Sequence, residues 1–175
     1  MSSMTVPRLL ALALFVCTTA FGVAHGADTA NNAAPEFTSQ DLDRSFRREP
    51  VQIATPDARL HRFNMWIADD DQRRARGLMF IRQLGAEDAM LFIYPQSQSV
   101  AMWMKNTYVP LDMLFVAADG KVVNIVAHTE PLSLKTIESK GIVQGVIELP
   151  AGAAARLKIA PGAQVIHPAF STAPR

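Results

Sequence analysis

Cysteine is almost missing from the sequence: Cys17 is the only one in 175 residues, and it lies in an N-terminal segment that we expect to be removed. The mature chain then has no thiol, which excludes disulfides, cysteine nucleophiles, thiolate metal sites and thiol redox centres. Excess charge is missing too. Because Arg8 is the only charged residue before Asp28, Lys+Arg falls from 17 to 16 on removal and equals the 16 Asp+Glu. A neutral protein lacks the basic surface of a nucleic-acid binder.

The segment that we expect to be removed covers the first 26 residues of the chain. Arg8 precedes an apolar run over residues 9–16, and small residues follow as far as Ala24-His25-Gly26. A cationic start, a short apolar stretch and small residues at the cleavage site are typical of a secretory signal peptide. We predict a signal peptide over residues 1–26, with a periplasmic or secreted mature protein. The alternative is an uncleaved anchor, because residues 6–24 approach the length of a bilayer span.

Several motifs that carry chemistry are also missing. No serine lies in a G-x-S-x-G elbow, no glycine-rich loop is arranged to hold a phosphate, and the histidines are far apart in sequence. We therefore expect no resident metal and no cofactor. No complete catalytic constellation is visible, which favours a binding domain over an enzyme.

The rest of the chain divides into three parts. Residues 27–49 are polar and lack a sustained period, so we predict a flexible linker with a short helical turn at 39–46. Residues 50–170 are dense in strand signals and form the predicted domain. Residues 171–175 are a tail. The length suits one domain, which we expect to be a monomer.

Two hairpins are predicted inside the domain. The first joins residues 51–54 to residues 60–68, where Phe63, Met65 and Ile67 alternate with polar residues and Trp66 and should face the core. The second joins residues 111–117 to 122–128 through Asp119-Gly120, a strong turn signal. With the remaining short strands and two brief helices, at 71–76 and 151–157, the pattern predicts an α+β fold. We expect a mainly antiparallel sheet curled into a small barrel.

The motifs of this domain, taken in order, resemble a known family, the domain-of-unknown-function family 192. The resemblance covers about residues 51–168 and rests on these blocks: Arg74-Ala75-Arg76-Gly77-Leu78-Met79-Phe80, Met90-Leu91-Phe92, Met102-Trp103-Met104-Lys105-Asn106-Thr107, Pro110-Leu111-Asp112, Ala118-Asp119-Gly120-Lys121-Val122-Val123 and Val146-Ile147-Glu148-Leu149-Pro150-Ala151-Gly152. The resemblance implies a small α+β domain with a barrel-like antiparallel sheet, often exported, and it implies no activity or catalytic set. Some relatives carry cysteines in the loop that is here 129–141, where this chain has none.

Five polar residues that interrupt or end apolar strands are candidate ligand-binding residues. Lys105 and Asp112 should lie close together at the rim of the sheet if residues 107–110 form a tight connection, and Asn106 lies beside Lys105. Arg76 can reach a carboxylate such as Glu148, or a bound anion. Each residue also has a structural interpretation. Lys105 and Asp112 would form an ion pair, Asn106 would lie in a turn, Arg76 would belong to a solvent-exposed arginine face, and Glu148 would make a contact at a strand end.

We predict an exported cell-envelope protein that binds a small polar ligand or an envelope protein partner, with no nucleic-acid partner and no membrane contact once the signal is cleaved. One alternative is a small hydrolase of envelope or carbohydrate substrates that uses Asp112 and Glu148 as a carboxylate pair. Another is Cu(I) binding through Met102 and Met104, which alternate along a predicted strand over residues 100–105. Met is also a common gap-filler of cores, which is the structural interpretation of the same pattern.

Overall fold

The computed structural model describes residues 37–170, so the predicted signal peptide, the first part of the predicted linker and the tail lie outside the described residues. Three short helices are present in this range: α1 (Ser39–Ser45), α2 (Asp71–Arg76) and α3 (Ala153–Arg156). The strands are β1 (Arg48–Ala54), β2 (Leu60–Ala68), β3 (Met90–Gln98), β4 (Ala101–Met102), β5 (Leu111–Val116), β6 (Val122–Val126), β7 (Ile137–Glu138), β8 (Val143–Pro150) and β9 (Gln164–Ile166). Within residues 37–170, no helix is long and apolar enough to cross a membrane.

Seven of the strands form one curled sheet in the order β6-β5-β8-β3-β2-β1-β9, and β4 and β7 form a separate pair. The expected mainly antiparallel barrel with two helices is wrong in three respects. The sheet is mixed, because β2 and β3 run parallel. It curls into a half-barrel without closing, and α1 is a third helix. The parallel pair arises because the chain leaves β2, passes through α2 and crosses back to enter β3 in the same direction.

Both predicted hairpins are present. β1 and β2 pair from Arg48 opposite Trp66 to Ala54 opposite Leu60, and β5 pairs with β6 across the Asp119-Gly120 turn. Gly120 has a φ of 82°, and a Cβ atom on it would lie 2.4 Å from the carbonyl oxygen of Val165. Only glycine fits there, because this turn brings the start of β6 against β9.

The sheet is covered on both faces, and each face has its own hydrophobic cluster. Met65 and Ile67 of β2 are fully buried on the first face, as predicted, and Phe63 packs partly against the same cluster. Trp66, expected to point away from the core, is fully buried in the second cluster. Its indole Nε1 donates a hydrogen bond to the Asp43 carboxylate at 2.7 Å.

The described part of the predicted linker is folded onto this second face. The Asp41 carboxylate accepts the backbone N–H of Thr38 at 2.8 Å, which stabilises the first turn of α1. Leu42 and Phe46 then bury their side chains in the second cluster. From Phe37 onward the chain therefore packs against the domain, and the predicted helical turn at 39–46 is α1 itself.

Candidate functional site

A single buried carboxyl group marks the second face of the sheet. Glu148 lies in β8, directly opposite Met90 of β3 and Met113 of β5, and both methionines belong to the second cluster. The residue is only 4% exposed. Neither a hydrogen bond nor a neighbouring charge within residues 37–170 contributes to its pKa. Burial raises the pKa of Glu148 to about 8, because the apolar surroundings disfavour the charged form.

Glu148 opens into a small cleft with a cavity volume of about 30 Å³. The cleft lies between the end of α2, strand β3 and the segment that follows β4. Its lining residues are Arg74, Ala75, Arg76, Gly77, Leu78, Met79, Phe92, Met102, Trp103, Thr107 and Glu148. Trp103 is 53% exposed and forms part of the outer wall. The volume has room for about two water molecules, so the cleft fits an ion or the end group of a larger molecule.

The end of α2 reaches the cleft because of its two caps. The Asp70 side chain accepts the Arg73 backbone N–H at the start of the helix. Gly77 ends the helix with a φ of 46°, and a Cβ atom on it would lie 3.0 Å from the Phe92 ring. The absence of a side chain at Gly77 therefore allows the α2 terminus to pack directly against β3 beside Glu148.

The loops on the other side of the cleft hold three non-glycine residues with left-handed backbones: Phe80 at φ 68°, Asn106 at φ 56° and Leu132 at φ 63°. They are joined through hydrogen bonds, since Phe80 N donates to Asn106 O at 2.7 Å and Leu132 N donates to Thr107 O at 3.0 Å. Such conformations cost about 1–3 kcal/mol each and cluster at binding and catalytic sites.

Arg74 lines the cleft, and its guanidinium lies over the Tyr94 ring, 5.4 Å from the centroid. Arg74 Nη1 donates to the Ile93 carbonyl at 2.6 Å, and Nη2 pairs with Asp71. Burial raises the pKa of Tyr94 to about 12; the Arg74 charge acts against this shift and the Glu148 charge adds to it. The neutral Tyr94 hydroxyl donates to Met102 Sδ at 3.5 Å.

Of the five predicted site residues, Arg76 and Glu148 line the cleft. The Arg76 guanidinium lies over the Phe37 ring, 4.6 Å from its centroid, so it packs toward the start of the described chain. Its Nε and Nη2 atoms are buried and have no hydrogen-bond partner. A structural ion pair to Glu148 or Asp112 is therefore not formed.

Lys105 and Asn106 lie at the border of the cleft. Lys105 is exposed, and its Nζ is 5.5 Å from the centroid of the Trp103 ring. Asn106 Nδ2 donates to Met79 Sδ at 3.9 Å. Both residues contact members of the lining without forming part of it.

Asp112 lies on the other face of the sheet, which separates it from the cleft. It pairs with Leu149 across the β5–β8 ladder, one residue away from Glu148, and successive residues of a strand face opposite sides. Its carboxylate accepts the backbone N–H groups of His128 at 3.0 Å and Ala154 at 2.9 Å, so it fixes the start of α3. The expected proximity to Lys105 and the carboxylate pair with Glu148 are both wrong.

The predicted methionine pair is also separated. Strand β4 ends at Met102, and the buried Met104 sulfur accepts the Thr129 hydroxyl at 3.1 Å. Met79 joins Met102 in the cleft lining instead. Sequence patterns gave no signal for Met79 or Tyr94, because neither interrupts an apolar run. Within residues 37–170, no cluster of three or more His, Cys, Asp or Glu side chains is placed to hold a metal ion.

Comparison with known proteins identifies relatives. The model of the family DUF192, described as "Uncharacterized ACR", matches residues 52–167. A crystal structure from Sinorhizobium meliloti 1021, provisionally described as a transcription regulator, is 38% identical with a TM-score of 0.69, covering 71% of this chain and 97% of that one. A protein of unknown function from Novosphingobium aromaticivorans DSM 12444 is 35% identical with a TM-score of 0.66, covering 69% of this chain and 85% of that one. Among curated proteins, none matches the chain.

Proposed function

The chain belongs to the domain-of-unknown-function family 192, and we propose that it is an exported cell-envelope protein that binds a small ligand in the cleft above Glu148. The observation that carries this proposal is the carboxyl group itself. Glu148 is 4% exposed and lines the cleft, and the buried Arg76 Nε and Nη2 atoms of the same lining have no hydrogen-bond partner. Burying a polar group without a partner costs free energy, and a bound ligand offsets that cost.

Two features of the surroundings support the same site. Three of the six left-handed non-glycine residues in the described range, Phe80, Asn106 and Leu132, lie in loops that adjoin the cleft lining. All eleven lining residues also come from motifs by which the chain resembles its family. Other depressions on the described surface are larger, including one of about 440 Å³ beside Pro110 and Pro150. That depression contains no buried carboxyl group.

The geometry favours binding over hydrolysis. A glycosidase needs two carboxyl groups that flank the scissile bond, about 5–10 Å apart, and that face one substrate. Asp112 faces the other side of the sheet and its oxygens are occupied by backbone N–H groups. Glu148 is thus left without the second carboxylate that the hydrolase alternative requires.

A thermal-shift screen of small molecules and ions against the purified protein tests the binding proposal. We expect a stabilising ligand whose effect is lost in Trp103→Ala, because Trp103 forms the outer wall of the cleft. Leu60→Ala is the matched control: it removes another exposed apolar side chain, at the far end of β2. A ligand whose effect is equal in both variants would place the site elsewhere and refute the proposal.

Export is tested separately. The full-length chain, expressed in a bacterium, is expected to appear in the periplasmic fraction with Ala27 as its first residue, because cleavage is proposed after Gly26. Intact-mass measurement of the purified protein gives the start point directly. A cytoplasmic protein that retains residues 1–26 would contradict the export proposal and leave the cleft unaffected.

A further inference from the structure

We propose that the ligand of this cleft carries a carboxylate group, which the Arg76 guanidinium binds side-on through its Nε and Nη2 atoms. The inference rests on the proposed binding function of the same cleft and specifies the chemical class of its ligand, a monocarboxylate with an apolar body. It starts from the two buried Arg76 nitrogens, which have no hydrogen-bond partner.

The two unpartnered donors of Arg76 lie on the same edge of its guanidinium. The group is planar, and the N–H bonds of Nε and Nη2 point in parallel, so together they match the two oxygens of one carboxylate. A buried charged donor without an acceptor costs free energy, and a pair of charge-assisted hydrogen bonds removes that cost. The free edge of Arg76 therefore favours a bidentate oxyanion.

One acidic side chain, Asp41, is near enough to Arg76 for their charges to interact, but its oxygens are already occupied. Hydrogen bonds from Thr38 lower the pKa of Asp41 most, and the charge of Arg76 lowers it least. Asp41 Oδ2 accepts the Thr38 backbone N–H at 2.8 Å, and Oδ1 accepts Arg44 Nη1 at 3.3 Å. The free edge of Arg76 is thus left to a bound ligand.

The charges around the cleft favour an anion over a cation. Arg74 and Arg76 both line it, and the exposed Lys105 lies at its border. Glu148 is the one acidic residue among the eleven that line the cleft, and burial raises its pKa to about 8, so it is uncharged at neutral pH. Asp71 offsets the charge of Arg74. A positively charged cleft attracts anions, and the remaining guanidinium matches a single negative charge.

The size and walls of the cleft indicate the rest of the ligand. Pockets for organic ligands measure about 300–1,000 Å³, whereas this cleft measures about 30 Å³. Only an end group such as a carboxylate fits inside, and the body must lie outside against Trp103, which is 53% exposed. Access to the buried edge of Arg76 requires the lining to open. Met79 and Met102, which have flexible unbranched side chains, allow this movement.

Nuclear magnetic resonance of the isotope-labelled protein tests the inference, with phenylacetate as the probe and phenylacetamide as its neutral counterpart. We expect phenylacetate to shift the Nε–H signal of Arg76 and the indole N–H signal of Trp103, and phenylacetamide to leave the Arg76 signal unchanged. Arg76→Lys keeps the charge but loses the two-pronged edge, so it should weaken phenylacetate binding roughly 10–100-fold. Arg62→Lys is the matched control, because Arg62 is exposed on β2 and lies outside the cleft lining. Circular dichroism spectra establish that each variant is folded.

An acetylated dipeptide that ends in phenylalanine separates two sources of the same group. Tighter binding than phenylacetate would identify a peptide C terminus and weaker binding a free acid, and both results support the carboxylate. Equal shifts by phenylacetate and phenylacetamide, tighter binding of phenyl phosphate, or equal weakening in Arg62→Lys and Arg76→Lys would overturn the inference. If no carboxylate shifts the Arg76 signal while the thermal-shift screen finds a ligand sensitive to Trp103→Ala, the binding function stands and the carboxylate assignment fails.

Discussion

Replacing Glu148 by glutamine should make the protein more stable at neutral pH and leave its stability unchanged in acid. The folded-state pKa of Glu148 is about 8, raised by burial from 4.5. Below pH 4.5 the carboxyl is protonated in both the folded and the unfolded state, so it contributes no pH dependence. Between the two values the unfolded chain releases the proton while the folded chain keeps it. The free energy of unfolding therefore falls as the pH rises.

The magnitude follows from the size of the shift. Each pH unit in this window costs about 1.4 kcal/mol of stability. At pH 7 the wild-type protein has therefore lost about 3 kcal/mol, and above pH 8 about 5 kcal/mol. Glutamine has nearly the same shape as a protonated glutamate, is equally without a partner and cannot ionise. Glu148→Gln should recover about 3 kcal/mol at pH 7.

Urea denaturation of the purified protein at about pH 4, 6, 7 and 9 measures the effect. The wild-type and Glu148→Gln curves of unfolding free energy against pH should coincide in acid and diverge steadily above pH 4.5. Glu87→Gln is the control, since Glu87 is exposed in the loop before β3. Parallel curves for the wild type and Glu148→Gln across the whole range would refute the reasoning, because they would mean that Glu148 titrates alike in both states.

Two further substitutions test the structure around the site. Asp112→Ala leaves the buried N–H groups of His128 and Ala154 without an acceptor. It should lower the free energy of unfolding by about 2–4 kcal/mol in a denaturant titration. Ligand binding in the cleft should stay unchanged. Gly145→Ala places a Cβ atom 2.7 Å from the Phe170 ring and should cost about 1–3 kcal/mol in the same assay; wild-type stability in either variant would contradict the packing described.

Local features of the fold could be predicted from the sequence. The Asp119-Gly120 turn and the alternation of Met65 and Ile67 depend on neighbouring residues, and both are present. The parallel pairing of β2 with β3 depends on the position and direction of a strand that begins about 20 residues later, and no local pattern specifies these. The burial of Trp66 cannot be predicted from local pattern for a related reason. Alternation shows which residues share a face, but it does not show that α1 will cover the second face.

The candidate site was predictable in part. Glu148 stands out as a charge within an apolar strand, and the structure places it in the cleft. Asp112 is not its partner because of the register between β5 and β8. Asp112 pairs with Leu149 and faces the side of the sheet opposite to Glu148, whereas a register shift of one residue would have placed both carboxyl groups on the same side. Register between distant strands is set by the packed sheet as a whole, so the sequence of either strand alone cannot specify it.

The glycine at position 120 also bears on how the protein behaves in a crowded solution. Outer strands of open sheets carry unpaired backbone groups that recruit other chains and lead to aggregation. Here the two outer strands approach each other, with Val122 N donating to Ala163 O at 2.9 Å and Val165 N donating to Gly120 O at 2.8 Å. These hydrogen bonds and the Lys121–Gln164 bridge join the start of β6 to the start of β9, and a side chain at Gly120 would force them apart. One residue without a side chain therefore keeps the two outer strands joined at this point, where their backbone groups are no longer open to another chain.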